Sequence, residues 1–246
     1  MLDSLLLLSG NDIPFTEANI TIHNPTLKEI AYVGEENFLK GYQLLNISKQ
    51  FLPEEGKLNL GDISDFDILI AILRERNAVM QKNRSCVFMV LALLFPSYAI
   101  SILDEGIVLK KEEEVSKISK EHFDIFKSLI KQMFSFGVED EQDFNPNGAL
   151  AEKIAKKMRE RQQRLANLHK EESTKVDIYS RYASIISVGL NIPITKVMEF
   201  TPYQLFDQVN RYRLKDEYEI NLKARLAGAK DIKDPEDWMK DVHSKS

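Results

Sequence analysis

"TPYQLFDQVNRY", residues 201–212, has the grammar of a helix start. The Thr201 hydroxyl can accept from free backbone N–H groups, and Pro202 stands where no N–H is needed. Leu205, Phe206, Val209 and, further on, Leu222 place apolar mass along one rod. Continued to Leu226, the helix would span roughly 37 Å at about 1.5 Å per residue. Just upstream, "VDIYSRYASIISVGL" reads as a second amphipathic helix broken by Pro193. Just downstream, "GAKDIKDPEDWMKDV" reads as a C-cap at Gly228, a turn, and a short helix begun by Asp234 and Pro235. That tail carries Trp238, the sole tryptophan, either an anchor folded onto the body or an aromatic offered to a partner.

Moving toward the middle of the chain, "ALAEKIAKKMRERQQRLANLHKEE" has six basic and two acidic residues over 152–164. Leu150, Ile154, Met158, Leu165 and Leu168 draw a narrow apolar stripe interrupted by Arg161, the pattern of an exposed arm or seam. The acidic, breaker-rich "GVEDEQDFNPNG" precedes it and marks a boundary. The expected organisation is an N-terminal α+β region over 1–138, an acidic linker over 139–149 and a C-terminal helical region over 150–246.

The first half is also dominated by helix periodicity. "DIPFTEANITIH" alternates at Ile20 and Ile22 and predicts a short opening hairpin. "NPTLKE" offers Asn24 as N-cap with Pro25 as first helical residue, while Thr26 and Glu29 have capping-box spacing. After Gly34 a helix is predicted through Phe38, Leu39, Tyr42, Leu45 and Ile47, ended by Pro53. Ser64 and Asp67 open a compact helix whose face is Phe66, Leu69, Ile70 and Leu73. Residues 84–95 are apolar on nearly every side and read as a buried helix stopped by Pro96, with a central strand as the rival reading. "YAISILDEGIVLKK" then alternates on both sides of "DEG", which predicts a hairpin with Tyr98, Ile100 and Ile102 on one side and Gly106 in the turn. "SKEHFDIFKSLIKQMFSF" is a helix with the stripe Phe123, Phe126, Leu129, Ile130 and Met133. The fold class is therefore mainly α, with a short N-terminal β-hairpin and a mid-chain β-hairpin.

Composition and motifs narrow the function. The 246 residues are 43% hydrophobic and 29% charged, enough for a substantial core. A net charge of −5 attracts neither phosphate backbones nor anionic membranes, so neither nucleic acid nor a membrane is an expected partner. The basic helix at 152–164 lacks the interleaved aromatics of a nucleic-acid reader. The longest apolar run, residues 87–95, is nine residues long where a helical span needs about 20. "MLDSLLLLSG" has Asp3 where a secretory leader is basic, and a short apolar stretch, so a leader is not expected. The one cysteine, Cys86, lies in an apolar run and reads as a buried side chain in a reducing compartment. His23, His122, His169 and His243 have no ligand spacing. The ten glycines form no phosphate loop, and there is no nucleophile elbow. "KKEEE" at 110–114 and "EDEQD" at 139–143 read as solvated charge runs. The expectation is a non-catalytic protein without cofactor or metal.

With no chemistry to follow, the order of segments carries the argument. "ITIHNPTLKEIAYVGEENF", "KIAKKMRERQQRL" and "VMEFTPYQLFDQVNRY" leading to "LAGAKDIKDPEDWMKD" occur in a sequence order that resembles the tail assembly chaperones of long-tailed phages and prophages of Gram-positive bacteria. The resemblance covers about a third of the residues and spans the whole length. It implies a helical, non-enzymatic protein of the host cytoplasm that binds the tape measure protein and assists polymerisation of tail tube protein around it. It also implies absence from the mature virion, with self-association as a further expectation. The alternative is a structural tail or baseplate accessory protein retained in the particle. On this reading the partner-binding candidates are Leu150, Ile154, Met158 and Leu165 on the basic helix, Tyr203 and Phe206 on the last long helix, and Trp238 in the tail. Each also admits packing within the chain.

Overall fold

The computed structural model describes residues 2–48, 63–74, 78–134, 177–227 and 239. The basic helix reading, the acidic linker, Trp238 and the tail helix lie outside the described residues. The described chain is mainly α with two small antiparallel sheets, as the periodicities predict.

A short helix α1 (Ser4–Ser9) is capped by Asp3, whose carboxylate accepts from the Leu5 N–H. Strands β1 (Ile13–Phe15) and β2 (Ile20–Ile22) form the opening hairpin in the register Ile13↔Ile22, Phe15↔Ile20. Their alternation buries Ile13, Phe15, Ile20 and Ile22 and turns Pro14 and Thr21 outward. Helix α2 (Leu27–Val33) begins at Thr26, where the Thr26 hydroxyl and the Glu29 carboxylate make a complete capping box. Asn24 is thus not the N-cap that the sequence also offered. It is buried, and its backbone N–H donates to Asp12 Oδ1 at 3.2 Å, so its place is set by the preceding hairpin.

Helix α3 (Glu35–Leu45) stops eight residues before Pro53, the stop expected from sequence. Both the Asn46 backbone N–H and its side-chain Nδ2 donate to the Tyr42 carbonyl, at 3.0 and 2.9 Å, and a local side chain that takes up a helix carbonyl can end a helix without proline. Helix α4 (Asp65–Arg74) opens as expected with reciprocal Ser64 and Asp67 hydrogen bonds. Helix α5 (Ala78–Leu94) settles the rival readings of the apolar run in favour of helix, and Cys86, Val87, Val90, Leu91 and Leu94 on it are buried. It lies against α3 so closely that Gly41 faces the Cys86 carbonyl.

The mid-chain sheet has three strands, not the expected two: β3 (Ala99–Leu103), β4 (Gly106–Lys111) and β5 (Glu114–Ser119), in the order β3-β4-β5. Gly106 takes the predicted positive φ, +153, but as the first residue of β4, paired with Leu103, the turn itself being Asp104–Glu105. The missed strand follows the "KKEEE" run, whose Lys110 and Lys111 end β4, whose Glu112 takes φ +54 in a tight turn, and whose Glu114 starts β5. Only Ile118 of β5 is buried, so an alternation signal is nearly absent there. One face of the sheet puts Ile107, Leu109 and Ile118 into the core, and the other leaves Ala99, Ser101, Leu103 and Val115 exposed.

Helix α6 (Phe123–Phe134) buries Phe123, Phe126, Ile130 and Met133 as the stripe predicts. Across the undescribed stretch follow α7 (Ile178–Gly189), a single-turn α8 (Ile194–Val197) and α9 (Pro202–Leu226). Although the sequence places a boundary at 139–149, the described residues before and after it share one core. Phe38 of α3 meets Phe134 of α6 at 5.2 Å and Tyr179 of α7 at 6.0 Å, and Tyr179 meets Phe206 of α9 at 5.9 Å. The backbone joins the two parts as well, since the Leu27 and Lys28 N–H groups at the start of α2 donate to the Phe200 and Met198 carbonyls.

Candidate partner-binding surface

The capping box at Thr201 anchors the start of α9. The Gln204 N–H donates to Thr201 Oγ1 and the Thr201 N–H to Gln204 Oε1, at 3.3 and 2.9 Å. The Gln204 amide also donates to the Leu8 carbonyl at 2.8 Å, tying the end of α1 to the start of α9. Below this cap Tyr203, Leu205 and Phe206 are buried, and Phe206 packs edge-on to Tyr182 at 5.7 Å. Glu35 of α3 accepts from the Tyr179 and Ser180 N–H groups at the start of α7, placing negative charge where a helix favours it. Burial, reinforced by Tyr42 and Glu35, pushes the Tyr179 phenol well above its ordinary pKa, and burial pushes Tyr42 up to about 12.

Two of the expected binding residues, Tyr203 and Phe206, are therefore core residues that hold α9 in place. Their side chains are 9% and 7% exposed and offer little to a partner in this conformation. The exposed surface of α9 lies beyond them. Tyr179 and Tyr182 of α7 lie near Phe206, while Gly189 at the end of α7 lies against the Tyr212 ring, so the two helices advance together and α7 stops first. A side chain at 189 would put its Cβ 2.6 Å from the far end of the Tyr212 ring, so that half-buried ring would have to swing aside. Val209 and Tyr212 are the last apolar residues of α9 that pack on the core. No residue from 208 to 226 is buried, and 213–226 make an arm about 21 Å long at about 1.5 Å per residue.

The arm has two parallel rows at four-residue steps. One is apolar: Leu214, Tyr218, Leu222 and Leu226, of which Leu222 and Leu226 are 41% and 81% exposed. The other is a charge ladder, with Glu219 3.7 Å from both Lys215 and Lys223. Ile220 on another side of the arm is also exposed, and so is Val188 beside Gly189 at its base. Sequence reading named Leu222 for its apolar mass but placed the contact at Tyr203 and Phe206. The row 214, 218, 222, 226 was there to be counted.

Elsewhere the polar clusters are engaged in holding the fold. His23 bridges Asp12 at 2.8 Å and Glu29 at 3.1 Å. Partial burial pushes the Glu29 carboxyl up, but the Thr26 N–H and hydroxyl and the His23 ring together hold it below the usual value. A shallow depression lined by Asp67, Ile70, Ala71, Arg74 and Asp104 has Arg74 paired to Asp104 and Asp67 paired to Lys120. Among the described residues no three His, Cys, Asp or Glu side chains are grouped to hold a metal, and no helix is long and apolar enough to cross a membrane. Cys86 is buried, as its apolar run predicts.

The unit α7–α8–α9 with its arm is also where a likeness to other proteins falls. Residues 173–243 match the family model of the YomV second domain. That is a phage-type protein family, and the likeness points to a phage-related protein. No curated protein and no solved structure matches the chain. The YomV-like segment covers under a third of the chain, and its described part is the helical unit whose first half joins the core and whose second half projects. Leu150, Ile154, Met158 and Leu165 lie outside this segment; Trp238 lies within it, beyond the described residues.

Proposed function

We propose that the chain is a phage tail assembly chaperone, a non-catalytic protein of the host cytoplasm that binds the tape measure protein and keeps it soluble. It assists polymerisation of tail tube protein around that partner and is absent from the mature virion. The observation that carries the reading is the arm of α9, a helix whose first half is locked in the core while its second half presents an apolar row beside a charge ladder. A long helical partner with apolar stripes self-associates unless those stripes are covered, and an amphipathic helix on a rigid base can cover them. The match to a phage-type domain over the same helices supports a phage setting.

The test is co-expression with the tape measure protein of the same phage. The wild-type chain retains it in the soluble fraction and co-purifies with it, and a Leu222→Glu/Leu226→Glu variant of unchanged melting temperature does not. A tape measure protein that stays insoluble beside the wild-type chain overturns the proposal. So does stoichiometric recovery of the chain from purified virions, which is the outcome expected of a retained tail or baseplate component.

A further inference from the structure

We infer that β3 is a dimer edge that pairs antiparallel with β3 of a second copy of this chain about a two-fold axis at Ser101, joining two three-stranded sheets into one of six. The inference is independent of the function proposed above. Among the described residues β3 is the outer strand of its sheet. Its residues, Ala99, Ile100, Ser101, Ile102 and Leu103, include none of the devices that guard a free edge, since there is no lysine, proline or other charge among them.

The edge is also short of cover. Ile107 and Leu109 of β4 are wholly buried, but Ile100 and Ile102, their neighbours on the same face, pack against the edge of the core and are only half-buried. A two-fold at Ser101 sets Ile100 opposite Ile102 of the second copy, and Ile102 opposite its Ile100. The strand is thus complementary to itself in apolar shape. The other face sets Ala99 opposite Leu103, which is 55% exposed in the single chain.

Charge selects a second copy over an unrelated strand. In this register Tyr98 lies opposite Asp104 of the second copy. Lys111 Nζ sits 5.9 Å over the Tyr98 ring, on the same face of the sheet. The turn Asp104–Glu105 of each copy, whose carboxylates also pair with Arg74 and Lys117 of their own chain, therefore comes beside Lys111 of the other, once at each end of the joined strands. An off-register or parallel pairing loses both matches.

Sedimentation over a concentration series reads the association. The wild-type chain moves from one to two chain masses as concentration rises. Ser101→Lys and Ser101→Glu, at an exposed position, each stay at one chain mass because like charges meet on the axis, and an equimolar mixture of the two recovers the dimer. Ser101→Cys is joined to a second copy by a short bismaleimide, with Cys86 buried at 1% exposure and silent. A wild-type chain that remains at one mass to its solubility limit overturns the inference. So does dimerisation that persists in Ser101→Lys, failure of the mixture to associate, or absence of the cross-link in Ser101→Cys, which reads the contact even if a charged variant folds poorly.

Discussion

Replacing Gly41 by alanine ought to help an ordinary helix, since alanine favours helix over glycine by about 1 kcal/mol in an exposed interior position. At Gly41 the sign reverses. A Cβ there would lie 2.3 Å from the Cys86 carbonyl oxygen, 2.7 Å from its carbon and 2.7 Å from Val90 Cγ2. The first two are backbone atoms of α5, where Cys86, Val87 and Val90 are all buried, so no rotamer change relieves them. Restoring van der Waals contact requires α3 and α5 to part by about 1 Å, and such overpacking costs about 1–3 kcal/mol or more. Parting them also loosens Phe38 from its 5.2 Å contact with Phe134. Against the propensity gain, the net loss is up to about 2 kcal/mol, a fall in Tm of up to about 8 °C for a chain of this size. Urea titration followed by circular dichroism should show a lower midpoint at unchanged slope. A midpoint that rises for Gly41→Ala would refute the close crossing of α3 and α5, and with it the packing argument made for the core.

The two halves of α9 should respond in opposite ways: Phe206→Ala, at 7% exposure and in contact with two tyrosine rings, loses about 3–5 kcal/mol, while Leu226→Ser, at 81% exposure, stays within about 0.5 kcal/mol by the same titration. Lys127→Ala removes the amine 2.5 Å from the Asp65 carboxylate, which is only 18% exposed, and costs about 2 kcal/mol as the loss of a charged hydrogen bond; equal melting of variant and wild type would show the pair to be inert. The Lys120 amine and the Ser64 N–H and hydroxyl lower the Asp67 carboxyl to about 2. A lowered acid stabilises the fold above its ordinary value near 4, and that stabilisation is lost as pH falls toward 2. The gap in Tm between wild type and Asp67→Asn should close over that window; because the pair is half-exposed, the gap is small even at pH 7. Tyr42, raised by burial to about 12, works at the other limb: its stabilisation is complete below about pH 10 and is lost from there to about 12, a loss that Tyr42→Phe should lack.

Most elements were legible because their signals are local. Capping at Thr26, Ser64 and Thr201 depends on residues three apart, and the stripe of α6 on steps of three and four, so a reader of the chain meets all the participants together. The failures follow from the same rule. β5 has one buried apolar side chain and exists because β4 is beside it; α3 ends at Asn46 through a side-chain bond that periodicity does not register. Phe206 looked available to a partner only as long as Tyr179 and Tyr182 were unplaced, and Tyr203 beside it is buried too.

The sequence by itself determined the helical class, the capped starts and the buried character of the run around Cys86, since each follows from hydrogen-bond satisfaction and apolar spacing within a few residues. Only the tertiary structure decided which half of α9 is core and which is surface. Both halves carry apolar residues at helical spacing, and what separates them is where α7 ends: at Gly189, against Tyr212, that neighbour stops, and no residue of α9 beyond it is buried.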